Sequence, residues 1–288
     1  MWERGKHFFK RATMILAVVL LCVGNAYLIE EIESFGQKKT EALMEQTWQE
    51  TIYDAGNEEQ TNLESFNLED VETAASEVAE KKYAYLTFDD GPSDNTDEIL
   101  DILKEKNVKA TFFVVGKEGE TAQARYKRIL AEGHSLGMHS YTHDYSYIYT
   151  SMDNYKEDIL RLQNYLYEVT GQKVRLYRFP GGSSNSVAKI SIKECIQFLN
   201  ENDIVYFDWN ASSEDAVTVN ADCNKLNSNI LQDALRFQNA VILMHDLHEC
   251  DGTVDGLAGL IDRLIEEGYE LRPITEETKP VQHVKSEG

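Results

Sequence analysis

Two adjacent carboxylates, Asp89 and Asp90, lie in the segment Thr87-Phe88-Asp89-Asp90-Gly91-Pro92-Ser93. A spaced histidine pair, His139 and His143, lies in His139-Ser140-Tyr141-Thr142-His143. One carboxylate and two imidazoles can hold a divalent cation and leave a position for water, the arrangement of a catalytic zinc site. The other carboxylate stays free to take a proton from that water. This division of labour belongs to metal-assisted hydrolysis. The spacing of four predicts a helical turn with both imidazoles facing one way. Alone, each half is weak. Asp-Asp-Gly-Pro also reads as a plain turn, and many HxxxH pairs are surface histidines.

The elements that must position these groups alternate. Strands are expected over 83–88, 110–115, 134–138, 176–179, 204–207, 240–244 and 269–271, from short aliphatic and aromatic runs. Helices are expected over 94–106, 122–132, 152–169, 190–200, 226–237 and 254–266, from apolar residues at helical spacing. Gly133 and Gly171 act as stops. Such alternation implies parallel strands joined by crossover helices. Two architectures suit it, a barrel and a doubly wound sheet. Polar residues recur at strand ends: Asp89 and Asp90 after the first, His139 after the third, Arg178 at the fourth, Asp208 at the fifth and His245 at the sixth. A barrel gathers all these ends on one face. The expected fold is therefore a distorted (β/α) barrel of about seven strands.

The 288 residues carry 50 acidic and 28 basic side chains, a net charge of −22. That excess argues against nucleic-acid binding, which needs basic patches. An uncharged run over 12–29 follows Arg4, Lys6, Lys10 and Arg11 and precedes Glu30, Glu31 and Glu33. Its length just reaches a bilayer core, about 30 Å, and the charge bias sets the N-terminus inside. The preferred reading is a signal anchor with the rest of the chain outside the cytoplasm. The competing one is a signal peptide cleaved near Ala26. Residues 30–82 hold 15 acidic and 4 basic side chains, a net of −11, and read as an acidic stalk, part helical and part disordered. The catalytic domain is expected over 83–275 and a polar tail over 276–288. Of Cys22, Cys195, Cys223 and Cys250, the last three show no CxxC spacing. They read as small buried residues or, for one pair at most, a disulfide.

TFDDGPS, HSYTH, the Tyr177-Arg178-Phe179-Pro180-Gly181-Gly182 segment, Phe207-Asp208-Trp209-Asn210 and Leu243-Met244-His245-Asp246 occur in that order. In this set the chain resembles the polysaccharide deacetylases of the NodB-homology type, carbohydrate esterase family 4, over roughly 83–273. The resemblance implies that Asp89 is the general base and that Asp90, His139 and His143 bind the metal. It implies that Arg178 fixes the base, that His245 is the general acid, and that Asp208 orients His245. Trp209 and Leu243 resemble walls of the pocket for the acetyl methyl. The cation implied is Zn²⁺, although two His and one Asp would also accept Co²⁺, Ni²⁺ or Mn²⁺. One departure matters. The family often has a bulky residue where this chain has Gly181, whose backbone N–H could still face an oxyanion while the missing side chain opens the subsite.

Each residue also has a plainer role open to it: Arg178 a surface group by a loop, Asp208 a helix cap, Trp209 core packing, His245 a satisfied loop residue. His134 and His248 match no motif. The resemblance points to N-deacetylation of N-acetylglucosamine units in an extracytoplasmic glycan, with peptidoglycan favoured by the anchor over 12–29. O-deacetylation of xylan or another acetylated polysaccharide is the alternative. An inactive glycan-binding module is the reading from another class.

Overall fold

A computed structural model describes residues 81–216 and 222–285. The membrane helix expected over 12–29 and nearly all of the acidic stalk lie outside the described residues. Among the described residues no helix is long and apolar enough to cross a membrane.

The chain runs through β1 (Lys82–Asp89), α1 (Thr96–Glu105), β2 (Thr111–Val115), α2 (Glu120–Ala131), β3 (Ser135–Ser140), α3 (Tyr145–Ile148) and α4 (Met152–Thr170). It continues through β4 (Leu176–Tyr177), α5 (Ile192–Glu201), β5 (Val205–Tyr206), β6 (Ala211–Ser212), α6 (Cys223–Ala234), β7 (Asn239–His245), a short 3₁₀ turn (His248–Cys250), α7 (Asp251–Glu266) and β8 (Tyr269–Leu271). All pairings are parallel. The strand order is β5-β4-β3-β2-β1-β7-β6, with β8 added beside the start of β1.

Two points differ from expectation. The sheet has eight strands rather than seven, because the two-residue β6 is too short to leave a periodic signal. The strand order also stays open between β5 and β6, so the fold is a curled half-barrel and not a closed barrel.

Alternation along each strand divides the interior into two layers. Ala84, Leu86, Phe88, Phe112, Val114, Met138, Tyr177, Ile242 and Met244 face the helices in one large apolar cluster. Tyr85, Phe113, Leu176, Phe207, Val241 and Ile274 form a smaller cluster on the concave face. Counting in twos from that second set reaches Thr87 and Asp89, Arg178, Trp209, and Leu243 and His245. The apolar floor of the concave face thus passes into polar chemistry at the carboxyl ends of the strands. Gly137 permits this packing, since a Cβ there would lie 2.4 Å from the Phe113 ring.

Cys195, Cys223 and Cys250 are free thiols, and Cys195 and Cys250 are buried. His134 is buried, where its Nδ1 accepts the Ala110 N–H at 3.1 Å. Burial lowers its pKa to about 4, which fits a neutral packing residue.

Candidate active site

Asp89 ends β1 and Asp90 follows it in a left-handed conformation, φ 72°. The turn is clamped from β7. Asp246, fully buried, accepts from Ser93 Oγ at 2.5 Å and Thr96 Oγ1 at 2.6 Å, and its N–H donates to the Asp89 carbonyl at 2.8 Å. Gly91 lies against that carboxylate so closely that a Cβ would come within 2.2 Å of Asp246 Oδ2.

His139 and His143 are not on a helical turn. His139 lies on β3, and His143 lies in the loop after it with φ 50°. A spacing of four suits either geometry, and here hydrogen bonds to one buried side chain decide. Asp158, on α4, accepts from Ser140 Oγ at 2.7 Å and the Tyr141 N–H at 2.8 Å through one oxygen. Its other oxygen accepts from the Thr142 N–H at 2.9 Å and Thr142 Oγ1 at 2.7 Å. The His143 N–H then donates to Ser140 Oγ at 2.8 Å. Asp158 is 1% exposed and was not singled out from the sequence. Its signal was there: an acid on the apolar stripe of an amphipathic helix, between Tyr155 and Leu162.

The ligand atoms converge. Asp90 Oδ1 is 3.1 Å from His143 Nε2 and 3.4 Å from His139 Nε2. All three ligand atoms lie within 4.8 Å of one another. His139 Nδ1 lies 2.8 Å from the Arg178 carbonyl, which can only accept, so Nδ1 carries the proton and Nε2 presents a lone pair. Burial drives the His139 pKa down to about 3, keeping the ring neutral. Asp90 Oδ1 is buried without a hydrogen-bond donor. Lone pairs facing one another with no proton between them fit a cation, and the donor set of two nitrogens and one oxygen fits Zn²⁺.

Arg178, fully buried, joins this cluster to Asp89. Its Nη1 donates to Asp89 Oδ1 at 2.9 Å and Thr87 Oγ1 at 2.6 Å. Nε and Nη2 donate to the Phe207 and Asp208 carbonyls at 3.0 and 3.1 Å. The guanidinium stacks on Phe113, 4.3 Å from the ring centroid. Burial raises the Asp89 pKa, while the charges of Arg178 and His245 oppose that rise. A carboxylate held this way is more basic than a solvated one.

His245 ends β7, and its Nδ1 partner is Asp215, at 2.7 Å. Asp215 also accepts the His245 N–H at 2.9 Å and Thr253 Oγ1 at 2.7 Å. Burial works to lower the His245 pKa, but the Asp215 hydrogen bond and charge outweigh it, lifting the pKa to about 9. Burial likewise works to raise the Asp215 pKa, and the bonds from His245 and Thr253 hold it below the usual range. This corrects the expected role of Asp208. Asp208 follows β5, at the far end of the strand order from β7. Its carboxylate is saturated by the Ser183 N–H and Oγ and the His283 N–H, at 2.6–2.8 Å. It anchors loops and does not reach His245. Asp215 escaped the sequence reading because the two-residue β6 that carries it beside β7 gave no pattern.

Trp209 and Leu243 line the concave face. Trp209 lies 5.9 Å from the Arg178 guanidinium, and Leu243 is 7% exposed. Gly181 and Gly182 have φ of 74° and 79°. A Cβ on Gly182 would lie 2.9 Å from the Trp209 ring. Residues 281–284, expected within a polar tail, return to this wall. His283 Nε2 donates to the Trp209 carbonyl at 2.7 Å, and its ring sits edge-on to the indole at 5.1 Å.

A parallel α/β half-barrel with an Asp-His-His pocket, a paired carboxylate and a carboxylate-held histidine is the architecture of a deacetylating hydrolase. Comparison with known proteins agrees. The family described as polysaccharide deacetylase matches residues 76–195. A peptidoglycan-N-acetylglucosamine deacetylase of Bacillus cereus is 34% identical over 203 residues, 69% of this chain and 71% of that protein. The catalytic domain of a peptidoglycan N-acetylglucosamine deacetylase from Eubacterium rectale superposes with a TM-score of 0.67 at 32% identity, covering 70% of this chain and 93% of that one. A polysaccharide deacetylase of Bacillus cereus superposes with a TM-score of 0.62 at 31% identity, covering 70% and 97%. The chain belongs to the polysaccharide deacetylase family, carbohydrate esterase family 4, and is a hydrolase.

Proposed function

We propose that this enzyme removes acetyl groups from N-acetylglucosamine units of an extracytoplasmic glycan, peptidoglycan in particular. The observation that carries the reading is the convergence of Asp90, His139 and His143 beside an Arg178-held Asp89 and an Asp215-held His245. Relatives that are peptidoglycan N-acetylglucosamine deacetylases support this choice of substrate. The basic flank and apolar run over 12–29 support an extracytoplasmic domain tethered to the membrane.

Asp90, His139 and His143 would hold Zn²⁺. Such a cation polarises a carbonyl and lowers the pKa of water to about 7. Asp89, kept ionised by Arg178, accepts the proton of the attacking water. The Gly181 N–H is the backbone donor for the oxyanion that forms as water adds to the acetamide carbon. His245 donates its Nε2 proton to the departing amine, and Asp215 keeps it protonated until then. Trp209 and Leu243 enclose the methyl.

The test is acetate release by the purified protein from N-acetylglucosamine oligomers and from peptidoglycan, with and without chelator. Release that chelator abolishes and zinc restores is the expected result. Release from O-acetylated xylan alone would replace the N-acetyl reading with an O-deacetylase.

A further inference from the structure

The site contains an unassigned polar group at its mouth. Gly181 carries no side chain, and its φ of 74° makes any other residue there strained. A Cβ built on Gly181 would lie 3.2 Å from both Cε1 and Oη of Tyr145. The space that a side chain at position 181 would enter is already taken by a phenol from a different loop.

That phenol is held in place. Tyr145 opens α3, whose first turn is capped by Asp144 accepting from the Ser146 N–H at 2.9 Å. One turn on, Tyr149 donates its hydroxyl proton to the Pro180 carbonyl at 2.8 Å. This bolts α3 to the loop that carries Gly181. The Tyr145 ring then stands edge-on to the His143 imidazole, with centroids 5.4 Å apart and planes at 87°, and packs on Tyr149 at 5.9 Å.

Its hydroxyl differs from those of Tyr141, Tyr147 and Tyr149, and its exposure sets it apart from the buried, unpartnered hydroxyls of Tyr155 and Tyr177. Tyr149 donates to a carbonyl, and Tyr141 and Tyr147 donate to Glu118 and Glu157. Among the described residues the Tyr145 Oη has no hydrogen-bond partner, and the residue is 36% exposed. A phenol fixed by its ring, with a free oxygen beside the Asp-His-His cluster, is built to meet a polar ligand.

The geometry points to Tyr145 as a substrate-binding residue that walls the subsite over Gly181 and hydrogen-bonds a hydroxyl of the sugar bearing the acetyl group. This rests on the deacetylase reading for the identity of the ligand. It predicts that recognition at this wall is polar, and that it is supplied by the loop after the histidine pair.

The test compares the full-length zinc-loaded protein with its Tyr145→Phe variant, which keeps the ring and removes only Oη. Binding of an N-acetylglucosamine oligomer is measured by calorimetry, and deacetylation of the same oligomer is set against that of a small acetyl ester with no sugar. Oligomer affinity and kcat/KM should fall about five- to ten-fold, the worth of one hydrogen bond to a ligand. The small ester and the bound zinc content should not change. Unchanged oligomer binding would overturn the proposal, leaving Tyr145 as ring packing alone. An equal loss on the small ester would also overturn it, by placing the effect in the reacting centre. If the parent protein binds the oligomer but releases no acetate, the deacetylase reading fails, while the binding comparison still decides the role of Tyr145.

Discussion

Asp89 and His245 are direct register partners at the ends of neighbouring parallel strands. One ladder step therefore fixes the spacing between the proposed proton acceptor and the proposed proton donor. Neither depends on a flexible loop for its position. Asp89→Asn should lower acetate release by roughly 10²–10⁴-fold, the usual worth of a general base. Metal bound at the proposed site should be retained, because Asp90 and the two histidines are untouched. Full activity in that variant would remove Asp89 from the mechanism.

The alkaline limb of the pH profile should report His245. In the proposed mechanism the protonated form donates, and its pKa is raised to about 9, so kcat/KM should hold through neutrality and fall as pH rises through that value. Asp215→Asn removes the charge and weakens the hydrogen bond that lift the pKa. The limb should then move toward the ordinary histidine value, about 6.5. Asp208→Asn should leave it in place, since Asp208 bonds Ser183 and the 283 segment instead. A limb that follows Asp208 rather than Asp215 would reverse the assignment.

Asp158 should act on the cation through the histidine loop. Asp158→Ala leaves four donors in the 140–142 segment without their acceptor and frees His143 to move. Zinc affinity should drop about 10–100-fold, as is usual when the support behind a ligand is lost. Titration of the apo protein with zinc measures this directly. Unchanged affinity with lowered stability would confine Asp158 to folding.

Arg178→Met should leave Asp89 buried without its partner. Removing one member of a buried pair costs about 3–5 kcal/mol, readable as a lower denaturation midpoint. The sign for activity follows from the charges around Asp89. Burial raises its pKa and Arg178 opposes that, so the acid limb of the profile should move to higher pH in the variant.

Much of this arrangement was written along the chain. Tyr85, Thr87 and Asp89 alternate inward, as do Val241, Leu243 and His245, so strand periodicity alone sends them to one face. The motif order brings Asp90, His139 and His143 together without any knowledge of the turn. What stayed hidden is tertiary. Asp215 sits 30 residues before His245 and reaches it through a two-residue strand that no periodicity can reveal. The residue expected in its place, Asp208, is assigned through the Phe207-Asp208-Trp209-Asn210 motif, and it too follows a strand. The left-handed His143 could not be read from spacing, because Asp158 imposes it from a helix further along the chain. The wall over Gly181 was legible only as a missing side chain, and its replacement by Tyr145 needed the fold.

Arg178 uses both of its ends. Its carbonyl holds His139 in the tautomer that presents Nε2, and its guanidinium holds Asp89. One ligand of the cluster, His139, therefore shares its support with Asp89, and the energetics of the two are coupled. Substitutions at His139 and Asp89 should interact in a double-mutant cycle instead of summing, as residues with a common partner do. For evolution or engineering, this couples a change of cation to a change of base strength: drift at one position must be answered at the other, through the backbone of residue 178.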